Sequence, residues 1–428
     1  MRMILFVFTV FFITIVQAQN NQFLIKENAP NVYIDCGYCD YNFIKEQIPI
    51  VNFVRDRNDA DIHILFTSQT TASSGKEYIL YFIGQNLFKN LNDTIKYQTF
   101  NTDSDDISRN KMVNSLKLGL INYIKKTSLS DYLSINFNLP KKKEKVTEDE
   151  WNFWYFTTSA NTNFSGEKNY KNLYLNTSIS ASRVTEDLKL SFRLSSNYNE
   201  NRYNYFDGVT EKNFLSVRRS QDFYAFLVKS IDEHWSWGAW IGGNSSTYSN
   251  IEFNFYISPG IEFNIFPYSQ SNDKQLRIDY RIRNSFTNYS EETIYFKKKE
   301  NLWSHSLEAT LSLIKPWGSI NISTEAGNYL HNLNLFELDI NGYLSLRLVK
   351  GLSLNLFGGY SRINNQLSLR RAGASLEEVL TQRRQLETSY NYWGGIGISF
   401  SFGSIYNNIV NPRFGNSGSG GMTIMFYN

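Results

Sequence analysis

Residues 251–265 read IEFNFYISPGIEFNI. Ile251, Phe253, Phe255, Ile257, Ile261, Phe263 and Ile265 fall on one side of an extended chain, and Glu252, Asn254, Ser258, Glu262 and Asn264 fall on the other. A period of two over this length is the mark of a strand with one apolar and one polar face. The pattern recurs outward in both directions. Leu173, Leu175, Ile179 and Ala181 oppose Asn176, Ser178, Ser180 and Ser182, and Leu188, Leu190, Phe192 and Leu194 oppose Lys189, Ser191, Arg193 and Ser195. Further segments run over 153–164, 223–231, 235–248, 276–287, 302–313, 320–329, 333–348, 352–362 and 390–402, which makes twelve. Repeated alternating segments of about ten residues predict an all-β transmembrane barrel of about twelve antiparallel strands over 151–403. A soluble sandwich also alternates, but it seldom needs so many segments of even length.

Composition agrees. Hydrophobic residues are 42% of the 428, yet mean hydropathy is −0.38, too polar for a bundle of membrane helices. Tyr (28), Phe (32) and Trp (8) together reach 16%. Many of them stand at segment ends, among them Trp151, Trp154, Tyr155, Trp235, Trp237, Tyr268, Trp303, Trp317, Tyr329, Tyr390 and Trp393. Rings with one apolar and one polar end suit the headgroup level of a bilayer. Lys plus Arg is 43 against 40 for Asp plus Glu, a net charge of +3 with no basic tail, which argues against a nucleic-acid partner.

Residues 1–18 carry Arg2, an apolar run, and Val16-Gln17-Ala18 before a polar stretch. That is a signal peptide, and the run is too short for a spanning anchor. Residues 19–139 mix strand and helix periods and predict a small α+β domain. Asn31–Asp35, 61–67 and 78–83 read as strands, 95–100 as a further edge strand, and 108–125 as an amphipathic helix. Phe43, Ile44, Ile48, Val51 and Val54 also fall at helical spacing. A charged linker over 140–150 follows, and a tail over 404–428 closes the chain at the periplasmic rim. Turns at 185–187, 232–233, 315–318 and 350–351 are tight, while 199–221, 288–301 and 364–388 read as long connections. Long loops face outside and short turns the periplasm, so the N-terminal domain is placed in the periplasm of a Gram-negative cell.

The polar face, taken as inward, puts Arg183, Lys189, Arg193, Arg277, Arg281, Arg283 and Arg347 in the lumen with Glu252, Glu262, Asp279, Glu308, Glu325, Glu337 and Asp339. Two readings compete: a basic and an acidic wall around a small porin-like pore, or a salt-bridged filling through which nothing passes. The cancelling charges favour the filling. Cys36 and Cys39 form a CxxC whose readings are a short disulfide, suited to an oxidising compartment, a redox pair or half of a metal site. His234, His305 and His331 are the barrel histidines. His331, near the external rim, is the one that could serve an outer-membrane hydrolase, yet no catalytic motif accompanies it. No cofactor motif is present either.

Asp35-Cys36-Gly37-Tyr38-Cys39-Asp40, 51–57 (VNFVRDR), 60–65 (ADIHIL), 116–120 (LKLGL) and the tail 407–415 resemble uncharacterised Bacteroidota-type outer-membrane β-barrel proteins with a periplasmic N-terminal α+β domain. The resemblance implies the same two-part build in the outer membrane and carries no activity. The expected role is transport or envelope organisation, with the N-terminal domain docking a periplasmic or outer-membrane protein or gating the lumen, and with outer-membrane lipid around the barrel. A rim hydrolase and a non-conducting structural subunit are the alternatives.

Overall fold

The computed structural model describes residues 28–408, apart from 72–74, 101, 135–150, 186, 207, 374, 376, 377, 379, 380 and 382. Residues 1–18, read above as a signal peptide, the linker over 140–150 and most of the tail lie outside the described residues. The N-terminal unit runs β1 (Asn31–Asp35), α1 (Tyr41–Gln47), β2 (Asn52–Phe53), β3 (Ile62–Thr70), β4 (Lys76–Gly84), β5 (Asn92–Thr99) and α2 (Asp105–Ile124). The sheet order is β2-β1-β3-β4-β5, with β1 parallel to both its neighbours. Helical spacing over Ile48, Val51 and Val54 misleads. Pro49 disfavours a helical residue before it, so α1 stops at Gln47 and Asn52–Phe53 joins the sheet.

α2 starts where Ser104 caps the amide of Ile107, with Asp105 and Asp106 in the first turn against the positive end of the helix. Met112, Val113, Leu116, Leu120, Tyr123 and Ile124 bury against Val32, Ile62, Ile64, Leu80 and Phe82. The Tyr123 hydroxyl, inside this core, donates to the carbonyls of Phe82 and Leu91 at 3.2 and 2.8 Å. The opposite sheet face is buried as well, at His63, Leu65, Thr67 and Ile79.

The second unit is one antiparallel meander of twelve strands. They are β6 (Trp154–Gly166), β7 (Tyr170–Val184), β8 (Leu188–Phe206), β9 (Glu211–Ser230), β10 (Trp235–Ser246), β11 (Ile251–Asn264), β12 (Lys274–Tyr289), β13 (Lys299–Lys315), β14 (Gly318–Tyr329), β15 (Asn332–Val349), β16 (Leu352–Ile363) and β17 (Tyr390–Phe400). The fold class is therefore the expected one: a barrel wall of twelve up-and-down strands after a small α+β unit. No helix among the described residues is long and apolar enough to cross a membrane.

The two faces differ as the alternation demands. Ser236, Ser258, Asn264 and Asp279 are buried, whereas Ile257, Ile261, Ile278 and Tyr280 on the other face are exposed. The polar face is thus the concave, sheltered one. Among the described residues no ladder joins β17 back to β6. An even strand number brings the chain back to the end where it began, so the N-terminal unit and residues 401–408 share one end, called near below.

The connection expected over 199–221 shrinks to residues 207–210, because β8 and β9 continue through it. Their polar residues pair with each other and with β7 instead of ending the strands. Asn172 donates to Asn201 at 2.7 Å and Asn176 to Asn197 at 2.6 Å. Polar side chains on both faces read as a loop, while the backbone ladder needs no apolar face once clear of the apolar band.

One substitution tests the packing of α2. Gly119 lies mid-helix, where alanine would ordinarily gain up to about 1 kcal/mol. A Cβ there would meet the Phe82 ring at 2.2 Å. Gly119→Ala is therefore expected to destabilise the N-terminal unit by roughly 1–3 kcal/mol. Denaturant titration of the helical signal in micelles reads this, with exposed Leu118→Ala as a control expected to stay within about 0.5 kcal/mol.

Candidate functional site

Register sets the site. Glu262 pairs with Asp279, Asp279 with Glu308, Glu308 with Glu325, and Glu325 with Asp339. Five carboxylates therefore stand side by side across β11–β15 on the concave face. Like charges directly opposite each other repel. β12 supplies the remedy two residues either side of Asp279. Arg277 lies 3.7 Å from Glu262, 3.6 Å from Asp279 and 3.1 Å from Glu308. Arg281 lies 2.9 Å from Asp279 and 3.6 Å from Glu308. Asp279 is 4% exposed, which makes this a sheltered network rather than a surface pair.

The other expected lumen charges divide. Arg283 faces inward with its guanidinium 4.3 Å from the Tyr256 ring, and Arg281 stacks likewise on Trp240 at 4.4 Å. Glu337 accepts from Asn365 at 2.7 Å, and Asp339 accepts from the Ser361 hydroxyl. Among the described residues Arg283, Glu325, Glu337 and Asp339 take no part in an ion pair. Lys189 and Arg193 face inward on β8, and Lys189 lies 5.5 Å from the Phe226 ring, away from the acidic row.

Two placements differ from expectation. Arg183 pairs across the ladders with Leu190 and Trp154, on the convex face at the near end, where it donates to Asn152 at 2.9 Å. Its odd number on β7 places it with Leu173 and Leu175, so the alternation itself held the correct answer. Glu252 sits in a bulge between Ile251 and Phe253, and accepts from Asn288 at 2.7 Å at the far rim. A bulge shifts the face of a residue and leaves no trace in a two-residue period.

Between the walls lies a cavity of about 330 Å³, lined among others by Ser258, Arg281, Arg283, Glu325, Glu337 and Asp339. At the far end the connection after β16 lies over it. Ser368 accepts from Asn250 at 2.9 Å, Arg370 donates to Thr247 at 2.8 Å, and Ile294 donates to Leu369 at 2.9 Å. Leu367, Leu369 and Arg384 are buried there.

At the near end the N-terminal unit is fastened to the wall. Arg347, the last inward charge of β15, forms a two-pronged pair with Asp35 at the end of β1 and lies 5.7 Å from the Tyr33 ring. Asp35 also meets the fully buried His63, Nε2 to Oδ2 at 3.2 Å. Lys350 pairs with Asp59 at 2.5 Å, and the Gly351 amide donates to Asp56 at 2.6 Å. The chain after β17 adds itself to the β2 edge. Arg55 donates to the carbonyl of Ile405 at 3.0 Å and Asn407 to that of Phe53 at 2.8 Å, while Asn408 accepts from the Phe53 amide. Burial pushes the Asp35 carboxyl up, but hydrogen bonds from His63 and Arg347 and the charge of Arg347 outweigh it and hold the group below its ordinary value.

Cys36 and Cys39 are joined in a disulfide directly after Asp35, and no free cysteine remains. The fastening of Asp35 to Arg347 was beyond sequence reasoning, since the two lie in different units. Of the histidines, His234 meets the Asn264 carbonyl at 2.7 Å at the near end. His305 stands on the convex face against the Tyr280 hydroxyl at 3.0 Å, and His331 lies in the β14–β15 turn beside the Tyr329 ring.

No protein-family model matches the chain, and no curated protein does. Two solved structures show a distant likeness. The NanC porin is 12% identical, with 57% of this chain and 98% of the porin covered at a TM-score of 0.27. The translocator domain of the autotransporter NalP from Neisseria meningitidis is 9% identical, with 58% and 86% covered at 0.26. Likenesses of that size carry no functional weight.

The Asp35 fastening has a pH signature. A depressed carboxyl contributes stability that is complete above its ordinary value near 3.8 and is lost as pH falls through the lower folded value. Hydrogen exchange at the amides of Arg55 and Asn407, which join the two units, is expected to quicken below that window. Arg347→Ala is expected to quicken it already at pH 7, by about 1–3 kcal/mol of lost protection. Asp35→Asn is expected to remove most of the acid dependence.

Proposed function

We propose that the chain is an outer-membrane β-barrel that holds and passes small charged solutes, with its N-terminal unit on the periplasmic side as the gate. The observation that carries this reading is the cavity in which Arg283 faces Glu325, Glu337 and Asp339 without pairing to them. A filled lumen would have neutralised these groups; the filling stops at the Arg277–Arg281 network.

The location is supported by the convex face. Leu175, Ile179, Leu194, Ile257, Ile261, Ile322, Ile340, Ile396 and Ile398 all lie exposed on it. An apolar belt around a whole sheet is untenable in water and suited to acyl chains. In lipid no edge amide can be left without a partner, so β6 and β17 must join. β17 runs antiparallel to β6, which permits a direct ladder. The far-end connections then face outside, and the fastened N-terminal unit faces the periplasm. A second role for that unit is favoured by one observation. Its β2 edge is covered by residues 405–408, whereas among the described residues β5 remains an edge, suited to a strand from a periplasmic partner.

Two measurements test this. In planar bilayers the full chain is expected to conduct in rare, small steps, and Arg347→Ala or Asp35→Asn to raise the open fraction severalfold. Silence in all three would leave a structural subunit as the better account. For closure, one cysteine replaces Thr158 and a second is moved in turn along Gly394, Ile396, Ile398 and Phe400. Oxidation in membranes is expected to cross-link at one or two adjacent positions, and cross-linking at none would mean the edges do not meet.

A further inference from the structure

We infer that the cavity between β12 and β14–β15 is a binding site for a basic amino acid, held by its carboxylate on one wall and by its two cationic groups on the other. The inference deepens the proposed function and depends on it only for the route by which the solute arrives. At about 330 Å³ the space suits one small solute, at the low end of ordinary ligand pockets.

The wall charges define the solute. Glu325, Glu337 and Asp339 are three carboxyl groups on β14–β15 without an ion pair, and Arg283 on β12, two strands from β14 in the same sheet, is a cation without one. Arg281 beside it is already engaged by Asp279 and Glu308. The unmatched groups are three acids on β14–β15 and one base on β12, on different sides of the cavity. A solute with a single cation leaves most of the acidic wall unanswered. A diamine answers two of the three carboxyl groups and leaves Arg283 alone. A molecule with two cationic groups and one carboxylate answers two of the three and Arg283 as well.

A metal ion is the other way to answer three carboxylates. Among the described residues, however, no group of three acidic, His or Cys side chains is placed to hold one. An independent feature points to a polar occupant. Ser258 lines the same cavity, is 2% exposed, and its hydroxyl has no hydrogen-bond partner. A buried hydroxyl left in that state is costly, and it offers a donor or acceptor to a bound molecule. The Arg283 guanidinium lies 4.3 Å from the Tyr256 ring and that of Arg281 4.4 Å from the Trp240 ring, so both groups are positioned before any solute enters.

The test is equilibrium dialysis of the full chain in detergent with radiolabelled L-lysine, paired with proteoliposome swelling in a neutral sugar. Saturable lysine binding is expected, with putrescine and L-glutamate competing at least about tenfold more weakly. Arg283→Gln is expected to weaken lysine about tenfold or more while leaving putrescine unchanged, and Asp339→Asn to weaken both. Ser258→Ala, a smaller change with little risk to folding, is expected to weaken lysine about threefold. Equal competition by lysine and putrescine, together with no effect of Arg283→Gln, would overturn the ligand class. Swelling without lysine binding would overturn the site and leave the pore. Binding without swelling would leave the site and remove the pore.

Discussion

The register of β12 between β11 and β13 is the constraint on which the rest depends. Slipping a strand by one residue turns every side chain to the opposite face. On β12 that slip would turn Arg277, Asp279, Arg281 and Arg283 outward and Ile278, Tyr280 and Ile282 inward. The observed register instead lets Arg277 reach Glu262, Asp279 and Glu308 on three strands at once. Each of those carboxylates would repel its neighbour if the arginines were absent. Attraction along one strand and repulsion along the row therefore select the same alignment.

That alignment also explains why the wall is not uniform. The arginines all sit on β12, so their neutralising reach falls off with distance in the strand direction. Glu308 is within it at 3.1 Å from Arg277; Glu325 and Asp339, one and two strands further on, have no ion pair. A network anchored on a single basic strand leaves its outermost acids unanswered, and there the concave side opens into a cavity. The rings of Trp240 and Tyr256, on β10 and β11, draw the guanidinium groups of Arg281 and Arg283 toward them, away from β14 and β15.

Much of this was legible in the chain because alternation is a local signal. Ile251 through Ile265 declares its two faces without help from any other segment, and so do residues 276–287. Arg183 could have been placed correctly by the same parity. Glu252 could not, because a bulge between Ile251 and Phe253 is a matter of pairing and not of composition. The ends of β8 and β9 were hidden for a related reason. Asn197, Asn199 and Asn201 look like loop residues until their amides are seen bonding along and across the sheet. The joint between the units lay furthest from view, since Asp35 and Arg347 are separated by 312 positions.

The count of charges in the sequence pointed to a neutral filling, and the geometry shows that the charges are unevenly spread. Of the seven basic residues assigned to the lumen, Arg183 faces outward, Arg347 is engaged by Asp35, and Lys189 and Arg193 stand on β8 away from the acidic row. Only Arg277, Arg281 and Arg283 remain beside it. Electrostatic energy falls with separation and screening, so a sum over a whole cross-section says little about the field at one point. Near β14 and β15 that field is acidic, and near Arg283 it is basic. The balance of the whole chain at +3 has no bearing on this local separation of charge. The binding of Arg347 to Asp35 sharpens the separation further, because the same contact that fixes the N-terminal unit to the near end withdraws a cation from the wall.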